Sequence, residues 1–297
     1  MFKTLFFIVL LSWLPEVTGR VEVRWMTVAS VLIDDGKTRL LFDPAWTRPG
    51  LKHILNLEKF SSDSGLVSSV LQRNRLTKID AVFSSHSHFD HVIDAPMISL
   101  LTGAVFYVDE SSERIARAYQ DKRIRTIRLI PGREVRVGDF LITPLPRQHA
   151  KILHLLDFLP GQVPVEFSLS FWDYHAGETW FYFIQHPEGS ILLDQGSDSL
   201  LEVIGKHTTK VDVLIQGVAN RRSDEQMIDG YAKFFRPQIF IPVHFDNFLA
   251  DFNNGEETYL PGIGLEEVLD KMKKAYPQMT VSKPHYAVPI TILDVKR

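Results

Sequence analysis

The sequence predicts an α/β (α+β) chain in which β-sheets pack together under covering helices. Three observations lead there: short apolar strands recur along the chain, helical segments are interposed in both halves, and no low-complexity linker or solenoid-period repeat interrupts residues 20–297. With 45% hydrophobic and 23% charged residues among 297, there is material for a substantial core, and intrinsic disorder is excluded. The chain has 11 histidines and no cysteine. Any metal site must therefore be built from imidazole and carboxylate, and disulfide scaffolds, thiolate zinc, iron–sulfur ligation and cysteine nucleophiles drop out. A net charge of -3 argues against a nucleic-acid binder driven by phosphate neutralisation. The basic stretch Lys122-Arg123-Ile124-Arg125 lacks interleaved aromatics and reads as a solvated face.

Taken in order, the chain begins with one positive charge at Lys3, an apolar run of about ten residues and the small-residue stretch Val17-Thr18-Gly19. Residues 1–19 therefore read as an export signal cleaved after Gly19, leaving a periplasmic or secreted protein. The run is half of what a membrane span needs, so no transmembrane anchor is expected. Residues 20–297 read as a single domain. Strands are expected over 21–28, 30–34 and 39–42, with Asp35-Gly36-Lys37 as a turn. A helix over 65–73 and a buried strand over 79–84 follow. Asp94 is placed to cap a helix with Pro96 in its first turn and Gly103 just past its end. Strands then alternate with helices: 104–108, 126–130, 133–137, 140–143, 168–173, 180–184, 190–193, 211–215 and 238–241 as strands, 197–204, 224–235 and 265–274 as helices.

The loop after the strand at Val82 reads His86-Ser87-His88-Phe89-Asp90-His91. Chance assembly of H-x-H-x-D-H in this composition is roughly one in a thousand. Residues two apart in extended backbone point to the same side, so His86 and His88 can grip one ion, and the following turn can send Asp90 and His91 toward a second. A bound cation requires neutral imidazole and so relieves the repulsion of so dense a cluster.

This pattern resembles the metallo-β-lactamase superfamily, and the resemblance extends over nearly all of residues 20–297. Asp43, before Pro44, matches the strand-end aspartate that braces the metal loop. His149, Asp194 (ending Ile191-Leu192-Leu193-Asp194) and His244 (in Pro242-Val243-His244) match the remaining stations in order. The resemblance implies a four-layer αββα sandwich with the metals at the shared edge of two sheets. It implies His86, His88 and His149 on one metal, Asp90, His91 and His244 on a second, and Asp194 bridging. Two divalent ions follow, zinc first, with manganese or iron also suited to nitrogen and oxygen donors. The implied chemistry is hydrolysis of an ester, lactone or phosphodiester by metal-activated hydroxide, with Asp90 also orienting that hydroxide as the catalytic residue.

Zinc β-lactamases with a cysteine ligand fit poorly, and the interval between Asp194 and His244 is too short for the domain inserted in the superfamily's nucleases. The start of the chain looks more like the branch holding ascorbate-6-phosphate lactonase and N-acylphosphatidylethanolamine phospholipase D. A small-molecule or lipid-like substrate is therefore expected, and no nucleic acid. The apolar segment 152–161 is either a substrate lid or core. His53, His175, His186, His207 and His285 have no partner spacing and read as surface or structural residues. The reading from another class is a non-catalytic metal-binding sensor or interaction module on the same fold.

Overall fold

The computed structural model of the protein describes residues 20–149, 151, 156–252 and 257–294. The expected export signal, residues 1–19, lies outside the described residues, as do 152–155 of the apolar segment 152–161. Among the described residues, no helix is long and apolar enough to cross a membrane.

The strands of the first half are β1 (Arg20–Trp25), β2 (Val31–Asp34), β3 (Arg39–Phe42), β4 (Ala81–Phe83), β5 (Val105–Val108) and β6 (Arg125–Arg128). Those of the second are β7 (Val135–Val137), β8 (Phe140–Arg147), β9 (Thr179–His186), β10 (Gly189–Asp194), β11 (Val213–Gly217), β12 (Ile239–Val243) and β13 (Thr280–Val281). β14 (Pro289–Asp294) then returns to the first sheet. The two seven-stranded sheets run β14-β1-β2-β3-β4-β5-β6 and β13-β12-β11-β10-β9-β8-β7. Both are mixed: β3 through β6 and β10 through β13 pair in parallel, and the remaining pairs are antiparallel.

Period-two alternation explains how the layers form. In the first sheet, Val31, Ile33, Leu40, Phe42, Ala81 and Phe83 face the second sheet and join one core with Ile142, Phe181, Leu193 and Ile215. Their neighbours Leu32, Leu41, Val82 and Phe106 face the other way, onto Val67, Val70, Ile98 and Ile115 of helices Ser64–Arg73, Ala95–Thr102 and Glu110–Ala118. Helix Leu265–Ala275 sends Leu265, Val268, Leu269 and Met272 onto the second sheet. The result is the expected αββα layering. A row of stacked rings, Phe42 on Phe83 at 4.9 Å and Phe83 on Tyr107 at 4.7 Å, crosses β3, β4 and β5 beneath the site. Truncating Phe83 to alanine would cost about 3–5 kcal/mol.

Several expectations are corrected. Strand β1 ends at Trp25 rather than at 28, because Thr27 and Val28 adopt positive φ (85° and 47°) and turn the chain. The expected strand 168–173 is a loop ending in a single 3-10 turn, Phe171–Asp173, whose start is capped by Ser170. Residues 224–235 are broken by a π-helical turn, Ile228–Ala232, with Gly230 out of helical geometry. Pro96 and Gly103 open and close their helix as expected, Gly103 at φ 75°. Asp94 does not cap it: its carboxylate accepts from Trp46 N (2.6 Å), Thr47 N (2.8 Å), Thr47 Oγ1 (2.7 Å) and Ser62 Oγ (2.6 Å), tying the loop after β3 to that helix. Helix Glu110–Ala118 and strand β14 were not expected from the sequence.

Candidate metal centre

Strand β4 ends at Phe83 and feeds the loop that carries the histidine motif. His86 Nε2 lies 3.0 Å from His88 Nδ1, so the extended step does place the two rings on one side. One helical turn, Phe89–Val92, then carries Asp90 and His91. Asp43 holds the loop from below. At φ 48°, its Oδ1 accepts from Ser85 N at 2.5 Å and lies 3.5 Å from His91 Nδ1. Ser85 Oγ sits 3.1 Å from both His86 Nδ1 and His91 Nδ1, so one hydroxyl orients two rings. His88 Nε2 is 3.0 Å from the carbonyl oxygen of Phe158. Donation to that carbonyl puts the proton on Nε2 and leaves the Nδ1 lone pair facing His86, the outer-shell arrangement that orients metal-binding histidines.

The second sheet supplies the remaining histidines. His149 follows β8 and packs edge-on against His88 (ring centroids 4.5 Å) and His86 (4.8 Å). His244 follows β12 at φ 55°, and its backbone N–H donates to Val28 O at 2.9 Å. The unusual Thr27–Val28 turn thus docks the last histidine. One ring nitrogen from each of His86, His88 and His149 lies within 4.8 Å of the others, and the same holds for a carboxylate oxygen of Asp90 with a ring nitrogen each from His91 and His244. The two triplets touch through His86 and His91, with ring centroids 3.9 Å apart. Asp90 Oδ2 lies 3.4 Å from His244 Nε2 and 3.6 Å from His91 Nε2.

Burial gives the triplets opposite electrostatics. Desolvation, helped by neighbouring imidazoles, lowers His86 well below the usual histidine value. It lowers His88 to about 4 against the carboxylate of Asp90, and His149 to about 3 with help from His88. In the second triplet, burial is outweighed by the carboxylates of Asp90 and Asp43, which raise His91. Burial also opposes ionisation of Asp90, but His91 and His244 win and hold it below the usual carboxylate range.

Asp194 lies in neither triplet. Fully buried at the end of β10, it accepts on Oδ1 from Arg147 and from Gly196 N (2.9 Å), and on Oδ2 from the Tyr231 hydroxyl (2.9 Å). Sequence reasoning missed three supports: the Phe158 carbonyl, Tyr231 aimed by the π-helical turn, and the buried Arg48, which faces Asp246 at 3.9 Å behind the second triplet. None has a local motif, since each meets the site only through tertiary packing. His186 forms a third group with Asp35 and Asp139. There His186 Nδ1 accepts from Glu188 N at 3.3 Å, which leaves Nε2 to donate toward Asp35 Oδ2 at 3.5 Å, an ordinary histidine–aspartate pair.

A family model described as beta-lactamase superfamily domain matches residues 38–246. A UPF0173 metal-dependent hydrolase of Anaeromyxobacter dehalogenans is 27% identical over 252 residues, covering 80% of each chain. Among solved structures, the metallo hydrolase Igni18 of Ignicoccus hospitalis superposes with a TM-score of 0.60 at 18% identity, covering 91% of this chain and 97% of that one. YhfI of Bacillus subtilis, a metallo-beta-lactamase fold protein, gives 0.58 at 16%, covering 91% and 99%. At these identities the two structures speak to the fold.

Proposed function

Because the chain belongs to the metallo-β-lactamase superfamily and is a metal-dependent hydrolase, we propose that it cleaves an ester, lactone or phosphodiester bond at a dinuclear centre. The observation that carries this reading is the contact between the two triplets, two sets of three donors side by side, each with two donors buried and one half-buried. The residues fit divalent cations. His88 is locked in the tautomer that presents Nδ1, the three imidazoles of the first triplet are held neutral, and the second supplies a carboxylate. His86, His88 and His149 would hold one ion and Asp90, His91 and His244 the other, and an all-nitrogen and oxygen donor set suits zinc first, then manganese or iron. Asp194 is the seventh proposed ligand, and a bridging role for it requires Arg147 to release Oδ1.

When bound, paired cations would lower the pKa of water and polarise the scissile group. The chain's own contribution centres on Asp90. Its Oδ2 faces His91 and His244, which leaves Oδ1 to orient the attacking water, and the carboxylate is ionised at neutral pH. Asp43 and Ser85 keep His91 and His86 in register. Export is also proposed from residues 1–19, and the N-terminal sequence of protein recovered outside the cytoplasm should then begin at Arg20.

The test is metal analysis of the purified protein followed by a panel of esters, lactones, phosphodiesters and β-lactams, with His88→Ala as control. Two equivalents of metal and turnover of at least one of the first three classes, lost in the variant, are expected. Metal-loaded protein inert across the panel would overturn the proposal.

A further inference from the structure

The centre opens into a cleft of about 1060 Å³, at the upper end of small-molecule sites, which run to roughly 1,000 Å³. A short ester or a simple lactone would leave most of that space to water. The cleft's polar lining holds the two triplets and, beyond them, Arg147, Gln195, Asn220, Asp224 and the adjacent Arg221 and Arg222. Elsewhere the lining includes Ile54, Phe171, Trp172, Phe248, Leu249 and Ile263.

Part of this wall already faces water. Trp172 is 43% and Leu249 51% exposed. An exposed tryptophan and an exposed leucine on the lining carry a standing hydration cost that an apolar ligand would remove. The wall is also set in place. Trp172 Nε1 donates to Ile54 O at 2.8 Å, so the indole gives up little rotamer freedom when a ligand packs on it. The two adjacent arginines differ. Arg221 is spent on Asp224 Oδ1 and Val218 O. Arg222 is exposed and makes no ion pair among the described residues.

We propose that the substrate is an anionic amphiphile with a long acyl chain, the chain lying on the wall of Ile54, Trp172, Phe248 and Leu249 and the anionic group meeting Arg222. This rests on the hydrolase reading above and adds the substrate class. Of the described part of segment 152–161, Phe158 lines this cleft and Leu156 is exposed.

The test separates chain recognition from catalysis. Laurate and butyrate, each below any micelle-forming concentration, are titrated into the metal-loaded protein, with binding read by calorimetry and tryptophan fluorescence. Both acids carry the same carboxylate, so the ratio of affinities reports the chain alone. Laurate should bind at least about tenfold more tightly, since each buried methylene adds several-fold. Trp172→Ala and, independently, Leu249→Ser should each shrink that ratio several-fold, and both positions are exposed enough for the variants to fold. Arg222→Gln should weaken laurate about threefold or more. Equal affinities, no binding of either acid, or a ratio unchanged in both wall variants would overturn the proposal. Selective laurate binding by a protein that cleaves nothing in the ester panel would remove the hydrolytic reading alone, whereas cleavage of esters with no dependence on chain length would remove the acyl-chain proposal alone.

Discussion

The two donor triplets sit in contact, yet they solve the problem of a buried polar cluster in opposite ways. The first, His86, His88 and His149, is all imidazole, and burial drives its basicity down until the rings stay neutral. The second, Asp90, His91 and His244, includes a carboxylate and has Asp43 beneath it, so His91 is pushed toward protonation while Asp90 stays ionised. The first triplet is thus emptied of charge before any ligand arrives, whereas the second balances charge internally. A cation entering the first meets rings already biased toward the neutral form; one entering the second works against the carboxylates that favour the protonated form of His91.

The largest effects should come from removing one donor from each side. His88→Ala and Asp90→Asn should each lower hydrolysis by at least about a hundredfold, a floor set by what mere outer-shell changes cost. Metal analysis should tell them apart, with the first variant losing the ion of the imidazole triplet and the second the ion of the mixed one. If both variants lost both ions together, the triplets would be a single cooperative unit and the comparison would fail. Next, Asp43→Asn weakens the acceptor facing His91 but leaves the first triplet's own contacts intact. Metal affinity at the mixed triplet should fall about ten- to a hundredfold, with the other ion retained, as read by competition with a chromophoric chelator.

Gly177→Ala probes the scaffold of the loop that serves both triplets. Gly177 has φ 64°, and a methyl group there would collide with Ser87 Oγ and Asp109 Oδ2 beside the metal loop. A destabilisation of about 2 kcal/mol is expected, read from the urea midpoint. The subtlest test is titration of the metal-free protein. Unfolded histidines bind protons near pH 6.5, but folded His88 and His149 wait until about 4 and about 3. Between those values the unfolded chain holds more protons, so these two residues should cost stability as pH falls from 7 toward 4. His91, raised in the fold, works the other way, adding stability at low pH that is lost as pH climbs through its folded value. Imidazole NMR shifts should resolve the two behaviours, and three histidines titrating together near 6.5 would erase the distinction.

How much of this was legible in the sequence depends on how local each cause is. The metal loop was legible because both of its determinants lie within six residues: the two-residue period of extended backbone and one helical turn. His149 and His244 were reachable only through the superfamily pattern, since nothing near them in sequence marks them. Strand β14 was missed because its reason for existing is β1, at the far end of the chain, with Arg20 opposite Asp294. Helix Glu110–Ala118 is mostly polar, and its clearest signal, Asp109 accepting from Ser111 N and Ser112 N, was a cap that could have been read. Asp94 shows the reverse error. A residue type that caps helices stood before a helix, but four donors from Trp46, Thr47 and Ser62 outbid the helix end. Residues 168–173 carry strand-like composition, yet Asp173 accepts from Ser168 N and Ser168 Oγ and folds the segment on itself.

Each triplet takes two donors from the loop after β4 and its third from the opposite sheet, His149 after β8 or His244 after β12. A nascent chain that has made only its first half can therefore offer any ion no more than a pincer of two donors in either place, and such pincers let go quickly. Firm retention would begin only when both layers have met across the shared seam. The proposed metals would in this way act as a proofreading stamp on assembly: a molecule that keeps them has finished folding, and a chelator strong enough to take them should also unfasten the seam they close.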